Sequence, residues 1–299
     1  MQRIIIVYNP RSSRFSDVKK EVLDPAKNLK GYMVGKYEVE KTNLDANIAK
    51  LSKLIKDKDI IVSAGGDATG IIASNGILKS GKDATLAVLP YGNFNDLSRT
   101  LGTKKFEDIF NTTNKLYPLE IIVDGKLFRY ATCYVTIGMT AEAVKLYDTP
   151  TMRRKLKTDF GRKISSYTEL AGWYFRHRHK KQFIPEFKLN GVLQHKDTSD
   201  YAALNGRSMA RVMKGGEDYK DPKIFRSETD RLTNFWRLIR LMFKSVFVRT
   251  PGSETTGDTI EFLAPATVEI QTEGEWKKFE NIKKIEIRKG KKCLKVIES

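Results

Sequence analysis

Apolar residues fall in this chain as short blocks with a regular order. Ile4 to Tyr8, Ile60 to Val62 and Thr85 to Leu89 are strand-length runs, Tyr37 to Val39 is a shorter one, and Asp17 to Asn28 and Asp45 to Ile55 between them read as helices. Strands alternating with helices predict βαβ units and a mainly parallel sheet. Beyond about Leu116 the pattern changes. Leu119 to Val123, Phe128 to Ile137, Phe183 to Leu189 and Thr259 to Ile270 look like strands, punctuated by Asp124-Gly125 and Asn190-Gly191, which predicts a β-rich, antiparallel region. The expected plan is an α/β domain over residues 1–116 and a β-rich domain over 117–299, whose C-terminal tail can return to the first.

Two loops carry chemistry. Ser63-Ala64-Gly65-Gly66-Asp67-Ala68-Thr69 follows the Ile60 to Val62 strand and opens a helix. Its glycines permit positive φ and close approach to a ligand, and a helix start favours an anion such as phosphate. Asp67 would repel that phosphate unless a cation lay between them, as in a magnesium nucleotide. An ordinary tight turn with Asp67 or Thr69 as N-cap is the alternative. The Thr85 to Leu89 strand runs into a second loop, Pro90-Tyr91-Gly92-Asn93-Phe94-Asn95-Asp96. In a parallel sheet both loops lie at the carboxyl ends of neighbouring strands, the edge where open α/β sheets bind ligands.

Together the loops resemble the diacylglycerol kinase catalytic-domain family of lipid kinases, whose hallmarks are Gly-Gly-Asp-Gly-Thr and Pro-x-Gly-Thr-x-Asn-Asp. Weaker matches follow in order: Asn9-Pro10, Thr42, and Glu273-Gly274-Glu275 where the family has Asp-Gly-Glu. The resemblance implies an α/β nucleotide domain followed by a larger β-sandwich domain, with the site in the cleft, ATP and Mg2+ as cofactors and a lipid alcohol as substrate. It implies nucleotide contacts from Asn9, Pro10, Arg11, Ser12, Ser13, Thr42, Gly65, Gly66, Asp67, Ala68, Thr69, Gly92, Asn93, Asn95 and Asp96. Asp67 and Asp96 are the implied metal ligands, Asp67 is catalytic, and Glu275 is the implied base that takes the lipid hydroxyl proton.

The sequence departs from the family at Ala68 (glycine), Asn93 (threonine), Ile72 (glutamate) and Thr140 (aspartate), and near Pro222 no Asp-Gly marks the structural magnesium site. Ala68 matters if its φ is positive, where a Cβ costs about 1 kcal/mol or more. A membrane-binding protein of the same fold without activity is the alternative reading. An NAD kinase shares the Gly-Gly-Asp turn but lacks a use for the basic aromatic segments described next.

The 299 residues, 40% hydrophobic, suffice for a sizeable core, and the net charge of +18 implies an anionic partner. Residues 152–181 place basic clusters around Trp173, Tyr174 and Phe175. Residues 231–248 put Arg237, Arg240 and Lys244 beside Leu238, Met242 and Phe243, a composition suited to an anionic membrane surface. Nucleic acid would explain the charge but not the two loops, so none is expected. No apolar run approaches a membrane span. The expectation is a cytoplasmic, peripherally membrane-associated protein, with a homodimer open through exposed strand edges. Cys133 and Cys293 read as reduced, and His177, His179 and His195 show no metal-ligand spacing with them.

Overall fold

The computed structural model describes residues 1–149, 168–169, 171–177, 179, 183–194, 198–210, 213–215, 219–230, 236, 239–240, 243–244 and 247–299. Most of the two basic segments, 152–181 and 231–248, therefore lies outside the described residues. Strands β1 (Gln2–Tyr8), β2 (Tyr32–Glu38), β3 (Ile60–Gly65) and β4 (Thr85–Pro90) run parallel in the order β2-β1-β3-β4. The chain crosses from β1 to β2 through α1 (Phe15–Val18), a π-helical turn (Lys19–Leu23) and α2 (Asp24–Ala26). It crosses from β2 to β3 through α3 (Leu44–Leu54) and from β3 to β4 through α4 (Asp67–Ser80). The uninterrupted apolar runs of β1 and β3 follow from burial on both faces. Helix α4 is buried from Thr69 to Leu78, so it lacks the polar stripe of a surface helix.

Helix α5 (Asp96–Leu101) follows β4, and β5 (Thr113–Leu116) closes the amino-terminal part. The chain then enters an antiparallel sheet through β6 (Leu119–Val123), β7 (Lys126–Ala131) and β8 (Tyr134–Gly138), followed by the short α6 (Met139–Ala143). Next come β9 (Phe187–Leu189), β10 (Val192–Leu193), β11 (Thr198–Leu204) and a small ribbon of β12 (Ser208–Met209) with β13 (Met213–Lys214). Strands β14 (Ile224–Asp230), β15 (Ser253–Thr255), β16 (Gly257–Thr272) and β17 (Glu275–Lys289) complete it. Among the described residues this sheet has the order β15-β14-β11-β8-β16-β17-β6-β7, with β9 paired to β16 and β10 to β9. Register shifts between Glu261 and Val268 interrupt the long β16–β17 pairing, a feature that bends strands. Apolar residues of β6 and β17 share one core with those of β8, β11 and β14, so the expected two-layered β domain is built from one hydrogen-bonded sheet. The last strand, β18 (Leu294–Ile297), inserts between β4 and β5 of the first sheet.

Asp124-Gly125 and Asn190-Gly191 have positive φ at both residues, as two-residue hairpins of this twist require, and so does Glu273-Gly274 between β16 and β17. Phe128 to Ile137, expected as one strand, is two strands, β7 and β8, separated at Thr132-Cys133. That break frees backbone N–H groups that a single continuous strand would commit to pairing. The core between the first sheet and α4 continues through Tyr130, Cys133, Tyr134 and Leu204 of the second sheet, joining the two parts by apolar packing.

Candidate active site

The Gly65-Gly66 turn works by space rather than by backbone sign. Gly66 is the extended N-cap of α4, with φ −88°, and neither glycine takes the positive φ that the sequence permits. A Cβ on Gly65 would come within 2.3 Å of Thr69 Oγ1, and one on Gly92 within 2.4 Å of Gly66 Cα. The two loops thus touch backbone to backbone, which only glycine allows. Asp67 starts α4 and is not its N-cap; nor is Thr69, which is buried in the first turn.

Asp67 ties the loops together. Its Oδ1 accepts from the Asp96 N–H at 3.0 Å and its Oδ2 from the Asn95 N–H at 3.3 Å. Asn95 holds the second loop in shape: it adopts φ +57°, accepts from the Gly92 N–H at 2.7 Å and donates to the Gly92 carbonyl at 2.9 Å. Asp96 is buried, and its Oδ2 accepts from the Ala210 N–H at 2.8 Å, on the turn between β12 and β13. Burial, and then the charge of Asp67, push its carboxyl up to about 7.

The third carboxylate in this cavity is Glu273, which lines it together with Gly65, Gly66, Asp67, Asp96 and Cys133. Its Oε1 accepts from the N–H of Thr132, from Thr132 Oγ1 at 2.8 Å and from the N–H of Cys133 at 2.6 Å. The break between β7 and β8 therefore has a partner. Burial pushes Glu273 up to about 7 despite those donors, with a further upward push from Asp67. Glu273 also has φ +51°, costly for a residue with a Cβ and held by the hairpin around it. Glu275, the base expected from the motif, opens β17 opposite Thr272 and does not line the cavity. Of the Glu-Gly-Glu triplet, the tight turn sends Glu273 inward, which the sequence did not lead one to anticipate.

The remaining expected residues lie on the loops after β1 and β2. Asn9 Oδ1 accepts from the Arg11 N–H at 3.0 Å, and Arg11 Nη2 donates to the Val39 carbonyl at 3.0 Å, linking the loops. Pro10 and Ser13 fall in the same turn, and Ser12 Oγ is buried there without a partner. Thr42 does not cap α3: the cap is Asn43, whose Oδ1 accepts from the Ala46 N–H at 2.7 Å. Thr42 Oγ1 instead accepts from buried Asn47 Nδ2 at 3.0 Å. Asn93 is half-buried in the second loop.

The departures from the family motif are accommodated. Ala68 is helical, without positive φ, so the backbone cost does not arise. Ile72 is packed in the core beneath the loop. Thr140 donates its N–H and hydroxyl to Asp200 at 2.7 Å each, and burial pushes Asp200 up to about 7. Among the described residues, no group of three His, Cys, Asp or Glu side chains has the geometry to hold a metal ion. Asp67 and Asp96 remain a pair of hard oxygen ligands of the kind Mg2+ uses alongside phosphate oxygens and water.

The architecture is thus an α/β unit with paired glycine loops facing an antiparallel sheet that supplies a buried carboxylate. Residues 3–127 match the diacylglycerol kinase catalytic domain, and the resemblance to that family is thereby shown. The chain is 31% identical over 170 residues to a diacylglycerol kinase of Bacillus subtilis strain 168, covering 54% of this chain and 52% of that protein. It is 33% identical over 126 residues to one of Staphylococcus aureus strain MRSA252, covering 42% of this chain and 37% of the other. The match thus spans about half or less of these relatives. A crystal structure of a diacylglycerol kinase from Bacillus anthracis str. Sterne shares the fold, with a TM-score of 0.61 at 14% identity, over 100% of this chain and 97% of that one.

Proposed function

We propose that this protein is a lipid kinase that transfers the γ-phosphoryl group of ATP, with Mg2+, to a hydroxyl of diacylglycerol or a related lipid at an anionic membrane surface. The observation that carries this reading is the meeting of Asp67, Asp96 and Glu273 in one cavity beneath the two glycine loops. The family match over residues 3–127 supports the same chemistry.

In this reading the loops after β1, β3 and β4 bind the nucleotide, and the start of α4 faces its phosphates. Mg2+, when bound, would be held by Asp67 and Asp96 and neutralise phosphate charge. The acceptor oxygen bonds to the γ-phosphorus while the bond to the β-phosphate oxygen breaks, and the hydroxyl proton passes to a carboxylate. Glu273 suits that role better than Glu275: it lines the cavity, and its raised pKa of about 7 lets it accept a proton near neutral pH. No helix among the described residues is long and apolar enough to cross a membrane. The proposed encounter with lipid is peripheral.

The test is transfer of labelled γ-phosphate from ATP with Mg2+ to a panel of lipid alcohols in anionic mixed micelles, beside Asp67→Ala. A labelled lipid made by the wild type and lost in the variant supports the reading. Absence of product on every lipid, with no nucleotide bound, contradicts it.

A further inference from the structure

A helix of a soluble domain ordinarily turns its apolar face inward. The described residues Trp236, Ile239, Arg240, Phe243, Lys244 and Phe247 all have helical backbone and all are exposed: Trp236 by 73%, Phe243 by 60% and Phe247 by 67%. Placed on an ideal helical wheel, the six positions would fall within an arc of about 140°, the four apolar residues over about 80° at one side and both cations on the other flank. An aromatic face of this kind left in water is unfavourable unless something covers it.

We propose that this face seats the protein on an anionic lipid bilayer, with Trp236, Phe243 and Phe247 at the level of the headgroups and Arg240 and Lys244 against lipid phosphates. Charge selects this occupant. A second copy would bring one chain of net charge +18 against another, whereas an anionic leaflet attracts both the face and the whole chain. Aromatic side chains flanked by cations match the layered chemistry of a bilayer interface, apolar below and anionic above.

The position of the face fits the proposed substrate. Just beyond Phe247, the Thr250 N–H donates to the Lys214 carbonyl at 2.9 Å. Lys214 lies on the β12–β13 ribbon, whose Ala210 N–H holds Asp96 at 2.8 Å. The docking face is thus one short ribbon away from the cleft. This inference rests on the reading of the substrate as a membrane lipid, but its test needs no turnover.

The experiment is co-sedimentation of the full chain, without nucleotide, with vesicles of phosphatidylcholine alone or mixed with phosphatidylglycerol, comparing wild type, F243S/F247S and R240Q/K244Q. The wild type is expected to bind the mixed vesicles, less so at high salt, and each variant to bind about tenfold or more weakly with an unchanged thermal melt. Rates on a dispersed short-chain diacylglycerol should stay within about twofold, because neither pair touches the cleft. Unchanged vesicle binding in both variants overturns the proposal, as does a wild type that ignores the vesicles and forms a dimer that F243S/F247S abolishes. A failed kinase assay beside intact, face-dependent vesicle binding would overturn the kinase reading and leave this one standing.

Discussion

Arg129 on β7 reaches out of the second sheet to place Nη2 2.9 Å from Asp45 Oδ1 on α3, three residues beyond Thr42. Its Nη1 lies 3.4 Å from Thr272 Oγ1, next to Glu273, and its guanidinium sits 4.6 Å from the Phe128 ring centre. One side chain therefore joins the helix that follows the Thr42 loop to the hairpin that carries the inward carboxylate. Only 6% of Arg129 is exposed, whereas Asp45 is largely in water. Arg129→Ala should cost about 2–3 kcal/mol in urea unfolding, through lost packing and the lost hydrogen bond to Thr272, while Asp45→Asn should cost under about 1 kcal/mol. Equal losses would mean that the ion pair, rather than the buried stem, holds the two parts together.

The touching glycines give a paired prediction. Gly92→Ala would drive a methyl against the Gly66 backbone and should separate the loops, lowering affinity for an ATP analogue at least about tenfold in calorimetry. Gly70→Ala meets open space inside α4 and should stabilise the fold by about 0.5–1 kcal/mol. If Gly92→Ala binds nucleotide normally, the close approach is not what brings the two loops to the ligand.

Asn47 offers a test of Thr42. Its amide accepts from Tyr37 Oη at 3.1 Å and the Glu40 N–H at 2.9 Å, and donates to Thr42 Oγ1 at 3.0 Å, all from a buried position. Asn47→Ala should cost about 2 kcal/mol of stability and raise KM for ATP more than it lowers kcat. A fall in kcat alone would move Thr42 away from nucleotide binding.

The raised carboxyls make a prediction about pH. Asp200, pushed up to about 7 by burial, is protonated in the fold where the unfolded chain is already ionised. Its contribution to stability is complete below about pH 4, the ordinary aspartate value, and is lost as pH rises through 7. Asp200→Asn removes that titration, so the drop in unfolding free energy between pH 5 and pH 8 should be smaller than in the wild type by about 1 kcal/mol or more. Parallel pH profiles would mean that Asp200 is solvated as well as an exposed carboxylate.

Much of this structure was legible in the chain because local chemistry dictated it. The apolar runs at Ile4 and Ile60, the turns at Asp124-Gly125 and Asn190-Gly191, and the loops at Gly65 and Gly92 each carry their instruction within a few residues. The inward turn of Glu273 was not legible. It depends on donors at Thr132 and Cys133, about 140 residues away, and on a strand break inside an apolar run that reads as continuous. The backbone at Ala68 and at the Gly65-Gly66 pair was left open for a related reason: backbone sign and side-chain clearance at a loop are set by what packs against it, here Thr69 and Gly92. The Arg129–Asp45 pair likewise joins two ordinary surface residue types that no motif connects.

The central claim is that Glu273 takes the acceptor proton in a phosphoryl transfer carried out in this cavity. The most direct measurement is the single-turnover rate of labelled phosphate transfer to diacylglycerol for Glu273→Gln and Glu275→Gln across pH 5 to 9. We expect Glu273→Gln to lose about a hundredfold or more together with the wild-type rise in rate near pH 7, and Glu275→Gln to retain both. A Glu273→Gln enzyme with the wild-type rate and pH profile, beside an inactive Glu275→Gln, would contradict the account and return the role to Glu275.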